Sequence, residues 1–247
     1  MATKVPAPAS RLPLLPAALF LVAAIAWPML ETYTILGFDG CEQYSLSIES
    51  LSDLGVNYRQ VHPLKHFPVT SWLHDYQNYN FQQAGILFGL AHLALLYITR
   101  HGVTSRTAPL RTIRVLLTVF YAAGMVLMGR IHGGPREQLW EIIGWHWTGL
   151  TLAAVAGNLN SIVAAVVPNQ IGGFDRVPSY RALSALLGVF GLYSLYRFQT
   201  LGEWDFETHI GRWQRGSVYP VLLWEAVTAG NIIIAHRSGE FAKSKTL

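Results

Sequence analysis

The sequence predicts an all-α polytopic membrane protein: six transmembrane helices in one bundle, both termini cytoplasmic, and a long first outer loop. Three observations predict it. Apolar residues make up 51% of the chain and charged residues 13%, with a mean hydropathy of +0.30, whereas a soluble domain carries about 25% charged residues. Six stretches, near 12–30, 80–99, 112–129, 140–167, 181–199 and 217–235, are apolar over nearly their whole length. At about 1.5 Å of rise per residue each covers or nearly covers a hydrocarbon core of about 30 Å, and helices satisfy the backbone there. Finally, the connections are sorted by sign. Lys4, Arg11, Arg100, Arg106, Arg111, Arg114, Arg176, Arg181, Arg237, Lys243 and Lys245 fall on one side. Glu31, Asp39, Glu42, Glu49, Asp53, Asp75, Glu137, Glu141, Glu203, Asp205 and Glu207 fall on the other. The positive-inside rule puts the first set in the cytoplasm and the second outside or in a lumen.

The chain divides into a cytoplasmic tail (1–11), one membrane domain (12–236) and a basic tail (237–247). Lys4 and Arg11 precede the first apolar run as they would in a signal peptide. The run is longer than a signal peptide's core and no small-residue cleavage site follows it, so it reads as the first span. Cys41 is the only cysteine, which excludes an intrachain disulfide. The basic residues are scattered rather than gathered into a patch, which excludes a nucleic-acid partner.

The connection from Glu31 to about Asn78 is far longer than a helix-to-helix turn, and loops of that length usually carry function or structure. Within it, Ser45 to Leu54 reads as a short helix capped by Ser45, and Phe67-Pro68 with Trp72 reads as a headgroup-level segment. Ser52-Asp53-Leu54-Gly55 sets a hydroxyl beside a carboxylate. Asp53 suits a general acid or base, while a capped turn ended by a positive-φ Gly55 accounts for the same residues. His74-Asp75 stands where the loop re-enters the membrane, and Asn80, inside an apolar helix, needs a partner.

Between spans three and four, His132 lies in Gly129-Arg130-Ile131-His132-Gly133-Gly134-Pro135-Arg136-Glu137, followed by Glu141 and His146. On a helix starting near Gln138, Glu141 and His146 point about 140° apart. With no HExxH and no paired-histidine spacing, the sequence assigns no metal and no cofactor. The fourth stretch, containing Asn158 and Asn160, exceeds the bilayer and so tilts or ends before Val167. Before the last span come Glu203, Asp205, Glu207 and His209, then Arg212 and Arg215. The arginines suit an anionic headgroup or phosphate; a salt-bridged loop is the plainer account. Glu225 lies in mid-span, where a carboxylate costs about 2.5–3.5 kcal/mol, so it should face the bundle, with Asn231 and His92 as possible neighbours. Gly85 and Gly89, Ala153 and Gly157, and Ala226 and Gly230, each four apart, form helix-contact ridges.

Several of these residues resemble a known family. Ser-Asp-Leu-Gly at 52–55, Asn80 and the Gly85 to Gly89 helix after it, His146 early in span four, and Gly211-Arg212-Trp213-Gln214-Arg215 ahead of the span containing Trp224 are similar to domain-of-unknown-function family 998. The similarity covers most of 14–235. It implies a six-span integral membrane protein and supplies no reaction. It carries over Ser52, Asp53, Asn80, His146 and Arg215 as candidate positions. The chain departs from the pattern in the long insertion between Gly55 and Asn80, and in Gln214, where an acid is more usual.

The expected function is the handling of a lipid or other hydrophobic small molecule at the outer polar end. As an enzyme, terpenoid-cyclase-like or lipid-modifying, the protein would use Asp53, His146 and Glu225 for acid–base work. Ser52, Asn80, Arg212 and Arg215 would bind the substrate. The alternatives are a transporter or transport accessory, which the missing repeat disfavours, and a non-catalytic scaffold. Membrane lipids and a hydrophobic ligand are the expected partners.

Overall fold

A computed structural model describes residues 14–39, 44–58, 60–61, 68–99, 108–166 and 177–238, with only the backbone for 60–61, 68–69, 203–208 and 238. Seven α-helices occur among the described residues: α1 (Leu15–Leu36), α2 (His74–Ile98), α3 (Ala108–Arg130), α4 (Pro135–Leu139), α5 (Ile143–Val166), α6 (Pro178–Gln199) and α7 (Glu203–Ser238). Prolines open three of them: Pro16 in the first turn of α1, Pro135 in α4 and Pro178 in α6. Proline suits that position because its missing N–H would have no partner there.

The six long helices form a ring in chain order. α1 packs on α2, α2 on α3, α3 on α5, α5 on α6, α6 on α7, and α7 closes back on α1. Lipid tails are as apolar as leucine, so close backbone approach holds such helices together, and small residues permit it. A Cβ on Gly85 would meet Met125 at 2.7 Å, and one on Gly157 would meet Tyr121 at 2.7 Å and Val221 at 2.8 Å. The third ridge does not serve: nothing lies within 4 Å of a Cβ on Gly230. Outward faces carry Val22, Ile25, Ile86, Leu90, Leu116, Val119, Leu186 and Val189, all exposed, as a lipid-facing surface requires. Trp72, Tyr76, Tyr79, Trp140 and Trp145 are exposed near one end, a headgroup-level aromatic belt.

Among the described residues, five helices are long and apolar enough to cross a membrane: α1, α2, α3, α5 and the His209–Arg237 part of α7. The chain thus has the character of a multi-pass integral membrane protein. α6, although 22 residues long, falls short of the apolarity of the other five because Arg181, Arg197, three tyrosines and Gln199 interrupt it.

Helix ends differ from the sequence expectation in ways that matter for the site. α1 continues to Leu36, so Glu31 is a helical residue and not part of the loop. Residues 45–54 do not form one helix. Ser45 closes a single turn, its N–H donating to the Glu49 carboxylate at 2.6 Å, and a 3-10 turn follows at Asp53–Gly55. The fourth apolar stretch breaks at 140–142, where Glu141 takes φ 59°, so Glu141 shares no helix with His146. α5 ends at Val166. Cys41, Phe67, Val167 and residues 1–11 and 239–247 of the tails lie outside the described residues, as do Glu42, Arg100, Arg106 and Arg176. Above the ring, at the end we call the loop end, the α1–α2 connection adds a two-residue antiparallel pair, β1 (Gln60–Val61) with β2 (Pro68–Val69). Phe38 and Leu54 form a small core there against Ile35 and Tyr44.

Candidate functional site

Four elements meet at the loop end, and Arg215 joins three of them. Its Nε donates to Glu31 Oε1 at 2.8 Å, Nη1 donates to the carbonyls of Leu46 (2.8 Å) and Glu49 (2.7 Å), and Nη2 donates to the Tyr44 hydroxyl at 2.6 Å. The other Glu31 oxygen accepts from Tyr219 at 2.5 Å and Trp27 at 3.1 Å. Both partners of this ion pair are buried. Burial pushes the Tyr44 hydroxyl well above its ordinary range. All three guanidinium nitrogens of Arg215 thereby have partners within the protein, and the residue pins the 44–49 segment to α1 and α7.

Gln214, the neighbouring residue, holds the next stretch of loop. Its Oε1 accepts from the Leu51 N–H at 2.6 Å and from the Ser50 hydroxyl at 3.0 Å, and the Ser50 and Ser52 hydroxyls stand 2.6 Å apart. Asp53 accepts from the Ser50 N–H at 3.2 Å. Desolvation raises the Asp53 carboxyl to about 6, against the pull of that bond and of Arg215. Gly55 does not adopt positive φ. It is needed for close approach, since a Cβ there would meet Asn78 Oδ1 at 2.5 Å.

His146, in the first turn of α5, faces this turn. Its Nδ1 lies 2.6 Å from the Ile131 carbonyl, and because a carbonyl only accepts, Nδ1 carries the proton. Nε2 is then an acceptor in the neutral ring, and it has no partner among the described residues although the side chain is buried. A Cβ on Gly133 would lie 3.0 Å from both His146 Nε2 and Ser52 Oγ. The absent side chain at 133 is what leaves a space between imidazole and hydroxyl.

A second polar chain borders that space. The Asn78 amide donates to the Gly55 carbonyl at 2.9 Å and to His132 Nε2 at 3.3 Å, which puts the His132 proton on Nδ1, 3.5 Å from Glu137 Oε1. Tyr58 donates to the other Glu137 oxygen at 2.7 Å, and Arg136 lies over the Tyr58 ring at 3.8 Å. Desolvation lowers His132, and it raises Tyr58 to about 12 with help from Glu137.

Glu225 stands apart. It is ten residues beyond Arg215 on α7, about 15 Å deeper at helical rise. Neither of its oxygens nor the Tyr121 hydroxyl has a partner among the described residues, and Glu225 is close enough for its charge to act on Tyr121. Asn231 bonds the carbonyl of Val227 on its own helix. His92 stacks on Trp224 with centroids 5.1 Å apart. Arg114, counted from the sequence with the cytoplasmic cations, is instead fully buried in α3. It donates from Nε to Asn160 at 2.9 Å and from Nη2 to His92 Nε2 at 3.2 Å.

Of the seven expected site residues, Ser52, Asp53, His146 and Arg215 gather at the loop end. Arg212 is there too, exposed, with Nε on the Ser47 hydroxyl at 3.2 Å. Asn80 is buried against the Trp27 carbonyl at 3.0 Å, a helix-to-helix bond. Sequence reasoning missed Gln214 as an organiser of the Ser52 turn, Gly133 as the spacer, and Arg114 and Tyr121 in the membrane interior. Comparison of the chain with family models, with curated proteins and with solved structures gives no match.

Proposed function

We propose that the protein acts on a lipid or other hydrophobic small molecule at its loop end, as a membrane-embedded enzyme in which His146 moves a proton. The observation that supports this most is the His146 acceptor nitrogen, buried, without a partner among the described residues, and facing Ser52 across Gly133. Ser52 holds the polar end of the substrate and His146 removes its proton. Asp53, whose carboxyl is raised to about 6 by desolvation, serves as the acid. In this reading the end faces outside or into a lumen, which the sign-sorting of the connections in the sequence supports. Membership of domain-of-unknown-function family 998 and a six-span topology belong to the same proposal, supported by the motif residues Ser52, Asp53, His146 and Arg215 standing together.

The test is to incubate the purified protein with lipid extracts and to profile a deletion strain for missing products. His146→Gln should lower turnover by roughly 100-fold or more, the contribution of a positioned base, with the fold retained. No product from the wild-type protein, together with no product lost in the deletion strain, refutes the enzyme.

A second reading has its own support. Glu225 is buried at mid-membrane with both oxygens lacking a partner among the described residues, and intramembrane acids of that kind are characteristic of proton relays. In this reading the protein is a transporter or transport accessory. Proton-dependent uptake into vesicles, abolished in Glu225→Gln and intact in His146→Gln, separates it from the enzyme.

A further inference from the structure

We propose that the furrow between α6 and α7 binds an anionic phospholipid, with its phosphate on Arg212 and one acyl chain along the helices. The proposal does not rest on the His146 reading, because the furrow opens on the lipid-facing side of the 45–52 segment. It encloses about 510 Å³, with a floor of Leu187 and Phe190 from α6 and Tyr219 and Leu223 from α7. Phe190 and Leu223 are exposed to the bilayer. Leu223 lies eleven residues from Arg212 on α7, about 16 Å at helical rise, roughly the depth of one leaflet of a core about 30 Å thick.

Charge selects the occupant. Arg212 and Arg215 both line the furrow and no carboxylate does. Arg215 is neutralised by Glu31 and has a partner on each guanidinium nitrogen. Arg212 is exposed, its Nε bonds the Ser47 hydroxyl, and its two terminal amino groups have no partner among the described residues. That leaves a planar two-donor fork, beside a hydroxyl, at the polar mouth of an apolar furrow. Such a fork matches a phosphate that lacks a cation of its own. A second furrow of about 520 Å³ between α2 and α3 also ends in an arginine, Arg130, but its lining offers no hydroxyl at that end.

The test is native mass spectrometry of the full chain released from micelles containing equal phosphatidylglycerol and phosphatidylcholine. Wild type should retain phosphatidylglycerol preferentially, and Arg212→Gln should reduce that preference by about fivefold, the worth of one basic residue near the surface. Arg212→Gln keeps the backbone bond to the Ser47 carbonyl at 3.0 Å, so the loop stays docked. Leu187→Trp, which fills the furrow, should release the lipid altogether, and Arg130→Gln should leave the preference as in wild type. Equal retention of the two lipids by wild type overturns the proposal. So does an unchanged ratio in Arg212→Gln, loss of preference in Arg130→Gln instead, or a lipid-free dimer.

Discussion

Asp53 makes its environment visible through pH. Its carboxyl sits near 6 in the folded protein against 3.8 for the free side chain, because desolvation penalises the charged form. A proton therefore binds the folded state more tightly than the unfolded one. The stability this confers is complete below about 4 and is lost as pH rises through about 6, at most about 3 kcal/mol in all. In thermal unfolding, Tm of the wild type should fall between pH 4 and pH 7 more steeply than that of Asp53→Asn, which carries no charge to desolvate. Parallel curves would place Asp53 in an ordinary solvated turn. Gly133→Ala probes the neighbouring space: a methyl 3.0 Å from His146 Nε2 and Ser52 Oγ should suppress turnover while the unfolding free energy changes by about 1 kcal/mol or less. Ser52, Asp53 and His146 are readable as chemistry because a hydroxyl beside a carboxylate, and an imidazole at the head of an apolar helix, stand out in a chain that is only 13% charged. Gly133 is not readable, since a glycine in a Gly-Gly-Pro turn announces only the turn.

Among the elements, the join between α1, α7 and the 44–49 segment depends on one buried ion pair. Removing one partner leaves the other charged, dry and unpaired, so Arg215→Met should destabilise by about 3–5 kcal/mol. Glu31→Gln should cost a similar amount, because an amide oxygen that accepts from Tyr219 and Trp27 leaves the amide nitrogen, a donor, facing the unpaired Arg215. The double variant Glu31→Met with Arg215→Met should be more stable than the sum of its singles predicts, which a double-mutant cycle of unfolding free energies measures. Hydropathy located every long helix and placed most ends within six residues, but α7 starts fourteen residues before its expected span, and the errors at α1 and α2 have a cause. The last turns of α1 and the first of α2 carry Glu31, Tyr33, His74, Asp75 and Asn78, which lower the local hydropathy without ending the helix. Glu31 is satisfied by Arg215 and Tyr219 of α7 and Asn78 by the Gly55 carbonyl, rather than by water. A hydropathy window likewise runs straight through 140–142, because Ile142 and Trp140 look like helix interior although Glu141 turns the chain. Glu31 reads as a loop acid until Arg215, 184 positions away, is brought beside it.

For the whole molecule, bonds between neighbours (Asn80 to Trp27, Gln82 to Gly129, Arg114 to Asn160, Arg181 to Ala165, Tyr180 to Thr228) each join the early part of one helix to the late part of the other, so neighbouring helices run in opposite directions and their ends alternate between two faces. That makes orientation a single two-valued question. The loop end holds the acids Glu31, Glu49, Asp53 and Glu137 together with Arg130, Arg136, Arg197, Arg212 and Arg215, while Arg111, Arg181 and Arg237 stand at the opposite end, so among the described residues the basic residues alone give no direction. The direction comes from the full sequence, and Arg114 must be removed from that count, since it is buried against His92 and Asn160; ten basic residues then remain on the expected cytoplasmic side against seven on the other. Two exposed side chains test it: Trp72 at the loop end and Tyr97 at the far end of α2. In a Cys41→Ser background, a membrane-impermeant maleimide added to intact cells or sealed right-side-out vesicles should label Trp72→Cys and spare Tyr97→Cys. Permeabilisation should then expose Tyr97→Cys. The reverse pattern would turn the His146 pocket towards the cytoplasm and require its substrate to come from the inner leaflet. Labelling of both without permeabilisation would mean that α2 does not cross at all, and the ring would then have to be a bundle lying outside the hydrocarbon core.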